Sequence, residues 1–248
     1  MIESFVQALE YCVADQLLPS RPMPPRARIY FDCVSGTGLF LLANGLVQFA
    51  PVDMQRFFAY LAMAMLSATW RVQIASVPVT LSPVFGYVLI GIADLSLGEA
   101  MLVACGATLV QCLWRPPTKR SSRKTVFNIA AVATALMFSY NPSHFVLAKG
   151  LQDAPRMLSL AAILFFVTNT GLVAAMIALM QEGSLRPVWW RLAQRTLPYY
   201  LVGAVIAALT IVANRFWGWH WGLLVAPLPY AAYQCYLLLS RRRGVAET

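Results

Sequence analysis

Eight long apolar stretches fill most of this chain, and they constrain its fold more than any other feature. They cover residues 29–49, 57–74, 79–97, 99–114, 125–145, 157–180, 198–214 and 219–239. A helix needs about 20 apolar residues to cross the hydrocarbon core of a bilayer. Hydrophobic residues make up 59% of the chain and charged residues 12%, against about 45–50% and about 25% in soluble domains. The pattern predicts an all-α, polytopic membrane helix bundle of about eight transmembrane helices over residues 29–240.

The basic residues between these stretches predict an orientation. With eight spans, four of the 19 Lys and Arg residues fall on one side and the other 15 on the opposite side. The minority side holds Arg56, Lys149, Arg156 and Arg215. Because Lys and Arg are enriched in cytoplasmic loops, we expect both termini to lie in the cytoplasm. This distribution explains the net charge of +9 without a nucleic-acid partner.

The regions outside the bundle are short. Residues 2–18 place apolar side chains at helical spacing, which predicts an amphipathic helix lying on the membrane or against the bundle. Four prolines between residues 18 and 28 then predict a stiff linker, so we assign residues 1–28 to helix and linker. Residues 241–248 form a basic cytoplasmic tail. The segment 75–83, with two prolines, is predicted to be either a loop or a broken helix.

Polar amides inside apolar stretches are the first candidates for a site, because an amide facing lipid would leave its hydrogen-bonding groups unpaired. They lie deep in the spans at Asn44, Asn169 and Gln234, and nearer the cytoplasm at Asn128 and Gln111. Interhelical hydrogen bonding is the leading interpretation for the group, and a ligand pocket is the alternative. As pocket residues we select Asn44 and Asn169, with Tyr140 and His144 near the mouth. Gln111, Asn128 and Gln234 are assigned structural roles.

Two carboxylates flank a tight turn at the predicted outer face. Asp94 and Glu99 lie on either side of Ser96-Leu97-Gly98. A solvated turn is the favoured interpretation, and a pocket mouth or a cation contact is the alternative.

Signatures of catalysis, metals and disulfides are missing from the sequence. The five cysteines are scattered and form no CxxC pair, and the two histidines do not belong to an HExxH motif. The sequence has no GxSxG motif and no P-loop. We therefore expect no metal, no cofactor and no catalytic residues.

Several short motifs resemble those of a known family. They are Thr80–Leu89, Gly98-Glu99-Ala100, Val126-Phe127-Asn128, Phe165–Thr170 and Leu197-Pro198-Tyr199-Tyr200. Together they resemble the multispan N-terminal sensor region of bacterial cyclic-di-GMP signalling proteins, in which a membrane module precedes a GGDEF or HD-GYP output domain. The resemblance implies a module that receives a signal and passes it to a cytoplasmic domain, with Asn128 and Asn169 as matching polar positions. This chain stops at Thr248 without such a domain, so we expect either a stand-alone relative in the bacterial inner membrane that signals through a partner, or a protein with a different role.

A weaker resemblance is to the substrate-binding membrane subunits of energy-coupling factor transporters, based on a Leu-Ser-like start, a glycine-containing helix and a tight turn. The sequence thus predicts a sensor or binding module for a small or lipidic ligand, with output through the 115–124 loop and the C-terminal arginines to a cytoplasmic signalling partner. The competing expectation is a transporter or transporter subunit, which could use an ATPase partner. A membrane enzyme acting on lipid or isoprenoid substrates is less favoured.

Overall fold

The computed structural model describes residues 23–51, 53–69, 72–74, 77–81, 84–114, 122–147 and 154–225. Over these residues the chain is helical apart from one short hairpin. The elements in chain order are α1 (Pro25–Val47), α2 (Met54–Thr69), β1 (Val72–Ile74), β2 (Val77–Leu81), α3 (Val84–Asp94), α4 (Leu97–Leu113), α5 (Ser122–Leu147), α6 (Ala154–Met180), α7 (Leu185–Trp217) and α8 (Trp219–Val225). The predicted amphipathic helix, the basic tail and most of the eighth span lie outside the described residues.

Three of the described helices are long and apolar enough to cross a membrane. They are Pro25–Val47, Pro155–Met180 and Leu185–Trp217. Helices α3 and α4 are apolar but shorter, with 11 and 17 residues. The helical architecture predicted from the sequence is confirmed, and three of the predicted spans correspond to helices of membrane-spanning length.

The prediction for the second and third spans is partly wrong. Helix α2 ends at Thr69, and the chain then forms an antiparallel hairpin in which Val72 pairs with Leu81 and Ile74 with Val77. The described part of the segment, Val77–Leu81, is therefore a strand and neither a loop nor a broken helix. β-Branched residues favour extended backbone, and Pro78 disfavours a helix because it lacks an amide hydrogen.

The seventh span is much longer than predicted. The sequence predicts 198–214, whereas α7 has 33 residues and begins at Leu185, so it is about 50 Å long at the helical rise of about 1.5 Å per residue. Three arginines between residues 185 and 197 lower the local hydropathy and hide this extension from a search for apolar segments. Pro187 lies in the first turn, where an amide hydrogen is not needed for the helix.

The helices pack with alternating directions, so the bundle has two distinct ends. At one end the Tyr30 hydroxyl near the start of α1 donates to the Leu172 carbonyl of α6 (3.1 Å). At the other end Asp94, the last residue of α3, bonds Asn214 near the end of α7. We call the end that holds Asp94 the carboxylate end and the opposite end the basic end.

The charges of the described residues differ between these ends. The basic end holds seven cationic side chains, namely Arg26, Arg28, Arg123, Lys124, Arg186, Arg191 and Arg195. The carboxylate end holds three, namely Arg56, Arg156 and Arg215. This asymmetry agrees in direction with the one predicted from the sequence.

Helix α3 lies at the centre of the bundle, since every residue from Val84 to Ile92 is buried. It packs closely on α7, because a Cβ at Gly86 would lie 3.3 Å from the carbonyl oxygen of Gly203. The small pair Gly203 and Ala207 therefore lies in a helix contact, as its spacing suggests. Gly171 has the same four-residue spacing from Ala175, but a Cβ at Gly171 would meet nothing within 4 Å. Helices α3 and α7 thus run side by side toward the carboxylate end.

Candidate functional site

Three polar side chains from three helices meet at the carboxylate end. The Tyr60 hydroxyl of α2 donates to Asp94 Oδ2 of α3 (3.3 Å), and Asn214 Nδ2 of α7 donates to the same oxygen (2.7 Å). Asn214 Nδ2 also donates to the Tyr60 hydroxyl oxygen (2.7 Å). We call Tyr60, Asp94 and Asn214 the polar triad. Both amide hydrogens of Asn214 are used in it, and the carboxylate receives two neutral donors.

Local helix structure brings the triad together. Asp94 ends a buried apolar helix, so its carboxylate emerges where the chain turns into α4. Tyr60 lies in the second turn of α2 and is 1% exposed, so its hydroxyl extends into the bundle. The close glycine contact between α3 and α7 lets the two helices run together until Asn214 comes level with Asp94.

Two buried polar atoms beside the triad have no hydrogen-bond partner. One is Oδ1 of Asn214 and the other is Nε of Arg56. Arg56 lies four residues before Tyr60 on α2, which places the two on the same face of the helix, one turn apart. A buried polar group without a partner costs about 1–3 kcal/mol. An unused acceptor therefore lies within the triad, and an unused donor lies on α2 one helical turn from Tyr60.

Glu99 is a cap rather than a solvated carboxylate. Its Oε2 accepts from the Ser96 backbone amide (2.8 Å), while the Glu99 amide donates to Ser96 Oγ (3.5 Å), which completes a capping box at the start of α4. Glu99 is only 2% exposed, and Asp94 is half-buried in the triad. The favoured interpretation of a solvated turn is therefore wrong for Glu99, while Asp94 is partly exposed. The Ser-x-x-Glu spacing was the sequence signal that could have predicted the box.

Tyr140 and His144 lie together at the carboxylate end. The Tyr140 hydroxyl donates to the Leu95 carbonyl (3.0 Å), next to Asp94. The His144 ring stacks on the Tyr140 ring with a centroid distance of 3.8 Å. Through this hydrogen bond Tyr140 contacts the residue that follows Asp94, and His144 lies beside Tyr140. Their role at a pocket mouth stays a prediction.

Asn169 lies in a different part of the bundle. Its Nδ2 donates to the Tyr200 hydroxyl (2.8 Å), linking α6 to α7. The Tyr200 ring packs edge-on against Phe85 (4.4 Å) and Phe166 (4.9 Å). The neighbouring Thr170 hydroxyl accepts from Trp189 Nε1 (3.2 Å). Asn169 therefore joins an aromatic cluster nearer the basic end.

Among the described contacts, Asn44 touches neither the polar triad nor the aromatic cluster around Tyr200. Its Oδ1 accepts from Gln48 Nε2 (2.9 Å), one turn along the same helix. The next residue, Gly45, packs against Met101 at the start of α4, so Asn44 is at the carboxylate end. The structure does not bring Asn44 and Asn169 into one pocket.

The residues assigned structural roles have different outcomes. Asn128 Nδ2 donates to Cys112 Sγ (3.5 Å), which links α5 to α4, although Asn128 is exposed. Gln111 is half-buried near the end of α4. Gln234 lies outside the described residues.

Within the described ranges, no group of three or more His, Cys, Asp or Glu side chains could hold a metal ion. Comparison of the chain with protein-family models, curated proteins and solved structures gives no match. The case for a site therefore depends on geometry. Sequence reasoning missed Tyr60, Asn214 and Arg56, because each is unremarkable in its own helix and gains meaning only from the contact between helices.

Proposed function

We propose that this chain is a multi-pass protein of the bacterial inner membrane that binds a small or lipidic ligand at the carboxylate end and signals to a cytoplasmic partner. In this proposal about eight helices cross the bilayer and both termini are cytoplasmic. The carboxylate end then faces the outside, and the basic end faces the cytoplasm.

Two observations support the membrane location. Three helices have the length and apolarity to span a bilayer, and cationic side chains are more numerous at one end of the bundle. The surface of α7 adds to this, because large apolar side chains are exposed along it. They include Leu197, Leu201, Val205, Leu209, Val212 and Phe216. Their spacing of three or four residues makes one continuous apolar face, as expected of a helix solvated by lipid.

The polar triad is the observation that supports ligand binding. Asp94 is a half-buried carboxylate at the end of a buried apolar helix, and ionisable residues that face the interior of a membrane bundle often mark ligand or ion sites. Its described partners, Tyr60 and Asn214, are neutral. Its charge is therefore hydrogen-bonded by these two groups but not neutralised by them.

The proposal of a cytoplasmic signalling partner is supported by the charge of the basic end and by the family resemblance of the sequence. The basic end is the surface that an acidic cytoplasmic partner would meet, and the resemblance to sensor modules of cyclic-di-GMP signalling proteins implies such a partner. The 115–121 loop and the C-terminal arginines lie outside the described residues.

Native mass spectrometry of the purified protein tests the binding function. We expect a co-purifying small molecule in the wild type that is lost in Asp94→Asn, because this change removes the charge and keeps the shape. Asp32→Asn is the matched control, since Asp32 is an exposed carboxylate on α1 outside the site. Loss of the molecule in both variants, or in neither, would contradict a site at Asp94.

A transporter is the second candidate, and Asp94 also favours it. A carboxylate shared between three helices can bind a coupling ion or proton that moves with a solute. Uptake of a labelled solute by proteoliposomes, abolished in Asp94→Asn or Asn169→Leu, would favour transport over sensing. Dependence of that uptake on a co-purifying ATPase would identify a transporter subunit.

A further inference from the structure

The hydrogen bonds within the proposed site indicate which chemical class of ligand it can bind. Tyr60 and Asn214 both donate to Oδ2 of Asp94, so neither of them occupies Oδ1. A ligand that meets Oδ1 must supply a donor or a positive charge. This favours a cationic group in the ligand.

The orphaned acceptor of Asn214 specifies the cation further. Its Oδ1 is buried without a donor, while its Nδ2 is fixed by two hydrogen bonds. Flipping the amide would place its oxygen against the Asp94 carboxylate and lose that hydrogen bond, so the orientation with Nδ2 toward Asp94 is favoured. An ammonium group with N–H hydrogens can satisfy Oδ1, whereas a quaternary ammonium cannot. The site thus favours an ammonium group that keeps its N–H hydrogens, and a primary one has the most of them.

Arg56 requires a negatively charged group in the same ligand. Its Nε is buried and has no acceptor, and it lies one helical turn from Tyr60. A bare cation would be repelled by this guanidinium and would leave Nε unpaired. An anionic oxygen on the same ligand would satisfy it.

We propose that the carboxylate-end site binds a small zwitterion, with its primary ammonium group at Asp94 and Asn214 and its anionic oxygen at Arg56. This inference rests on the ligand-binding function proposed above. The ligand is either a free solute or an aminophospholipid headgroup of the bilayer, because both can present an ammonium group a few bonds from an anionic oxygen.

Two soluble probes that differ only at nitrogen test the inference. Glycerophosphoethanolamine carries a primary ammonium and glycerophosphocholine a trimethylammonium. We would measure both by isothermal titration calorimetry on the full chain in nanodiscs of phosphatidylglycerol and phosphatidylcholine. We expect the first probe to bind and the second to bind at least about tenfold more weakly, since it cannot donate to Asn214. Equal affinity for the two probes, or no binding of either, would overturn the proposal.

Variants locate the two charges. Asp94→Asn and Arg56→Gln should each weaken glycerophosphoethanolamine binding about tenfold or more. Asp32→Asn, the same charge change outside the site, should leave it unchanged. Normal binding by either site variant would overturn the assignment. The comparison of the two probes on the wild type does not depend on the variants folding.

A change of disc lipid identifies the source of the ligand. If the natural ligand is a headgroup, discs containing phosphatidylethanolamine will suppress probe binding by competition. If it is a free solute, the affinity will be the same in both discs, and either result supports a zwitterion site.

The ligand and the proposed function can fail separately. Probe binding without any signalling or uptake would leave the zwitterion site standing and remove the function. Mass spectrometry could instead find a different molecule that is lost in Asp94→Asn, while neither probe binds. That result would keep the ligand-binding function and remove the zwitterion site.

Discussion

Asn214 and Asp94 lie 120 positions apart in the chain, yet the side-chain nitrogen Nδ2 of Asn214 lies 2.7 Å from Oδ2 of Asp94. Through this contact α7 is joined to α3, and through Tyr60 both are joined to α2. The proposed binding site is therefore also a structural junction at the carboxylate end. The contribution of this junction to protein stability and its contribution to ligand binding can be measured separately.

The first prediction concerns the coupling within the polar triad. Asn214→Leu should destabilise the protein by about 0.6–2 kcal/mol, the range for interhelical hydrogen bonds in membranes. Tyr60→Phe should cost less when made in the Asn214→Leu background than alone, because the two groups bond each other. Unfolding in detergent and denaturant measures both values. Strict additivity of the two changes would show that the bond contributes nothing.

The second prediction uses two glycines of α1 that differ only in their surroundings. A Cβ at Gly38 would overlap the backbone of Ala130 on α5, whereas a Cβ at Gly36 would meet nothing within 4 Å. Gly38→Ala should therefore destabilise the protein by about 1–3 kcal/mol through overpacking. Gly36→Ala should be neutral or stabilise it by up to about 1 kcal/mol, since alanine is the better helix former.

Thermal unfolding of the two variants in the same detergent checks this prediction. The substitution is identical and the positions are two residues apart, so differences in helix propensity cancel. An equal change in melting temperature would mean that α1 and α5 are farther apart than described.

The third prediction concerns the start of α4. Ser96 caps this helix with its side chain, whereas Ser184 occupies the same position at α7 without a side-chain hydrogen bond. Ser96→Ala should cost about 0.5–2 kcal/mol, the usual loss for an N-cap. Ser184→Ala should have little effect. The difference between the two free energies of unfolding reports the value of the capping box.

These cases show what the sequence could and could not predict. The helical fold follows from long apolar stretches, and the box at Ser96 and Glu99 is visible as a spacing of three residues. The polar triad is not visible, because its members are separated by 34 and 120 residues and meet only after the helices pack. The early part of α7 was missed for a different reason, since arginine lowers hydropathy without lowering helix propensity.

Asn169 shows a further limit of sequence reasoning. Its depth in a span predicts an inward-facing amide, and it does bond another helix. Which group it bonds depends on the packing of α6 against α7, and the partner is Tyr200 rather than Asn44 or a shared pocket. The position of an amide within an apolar helix is therefore readable from one sequence, but the identity of its neighbour is not.

The last prediction tests the orientation on which the proposed function depends. Gly183 lies in the exposed turn between α6 and α7 at the basic end, and His220 is exposed just after α7 at the carboxylate end. With native cysteines replaced by alanine, Gly183→Cys should react with a membrane-impermeant maleimide only after the inner membrane is opened. His220→Cys should react in intact spheroplasts, because the positive-inside rule puts its end of the bundle outside.

Both positions are exposed, so a difference in labelling reports sidedness rather than burial. A variant that keeps Cys105 as its only cysteine is the buried standard, since Cys105 is 6% exposed and should resist labelling until the protein unfolds. If Gly183→Cys reacts from outside and His220→Cys does not, the basic end faces the periplasm. The polar triad would then open toward the cytoplasm, and a ligand arriving from outside could not be the signal.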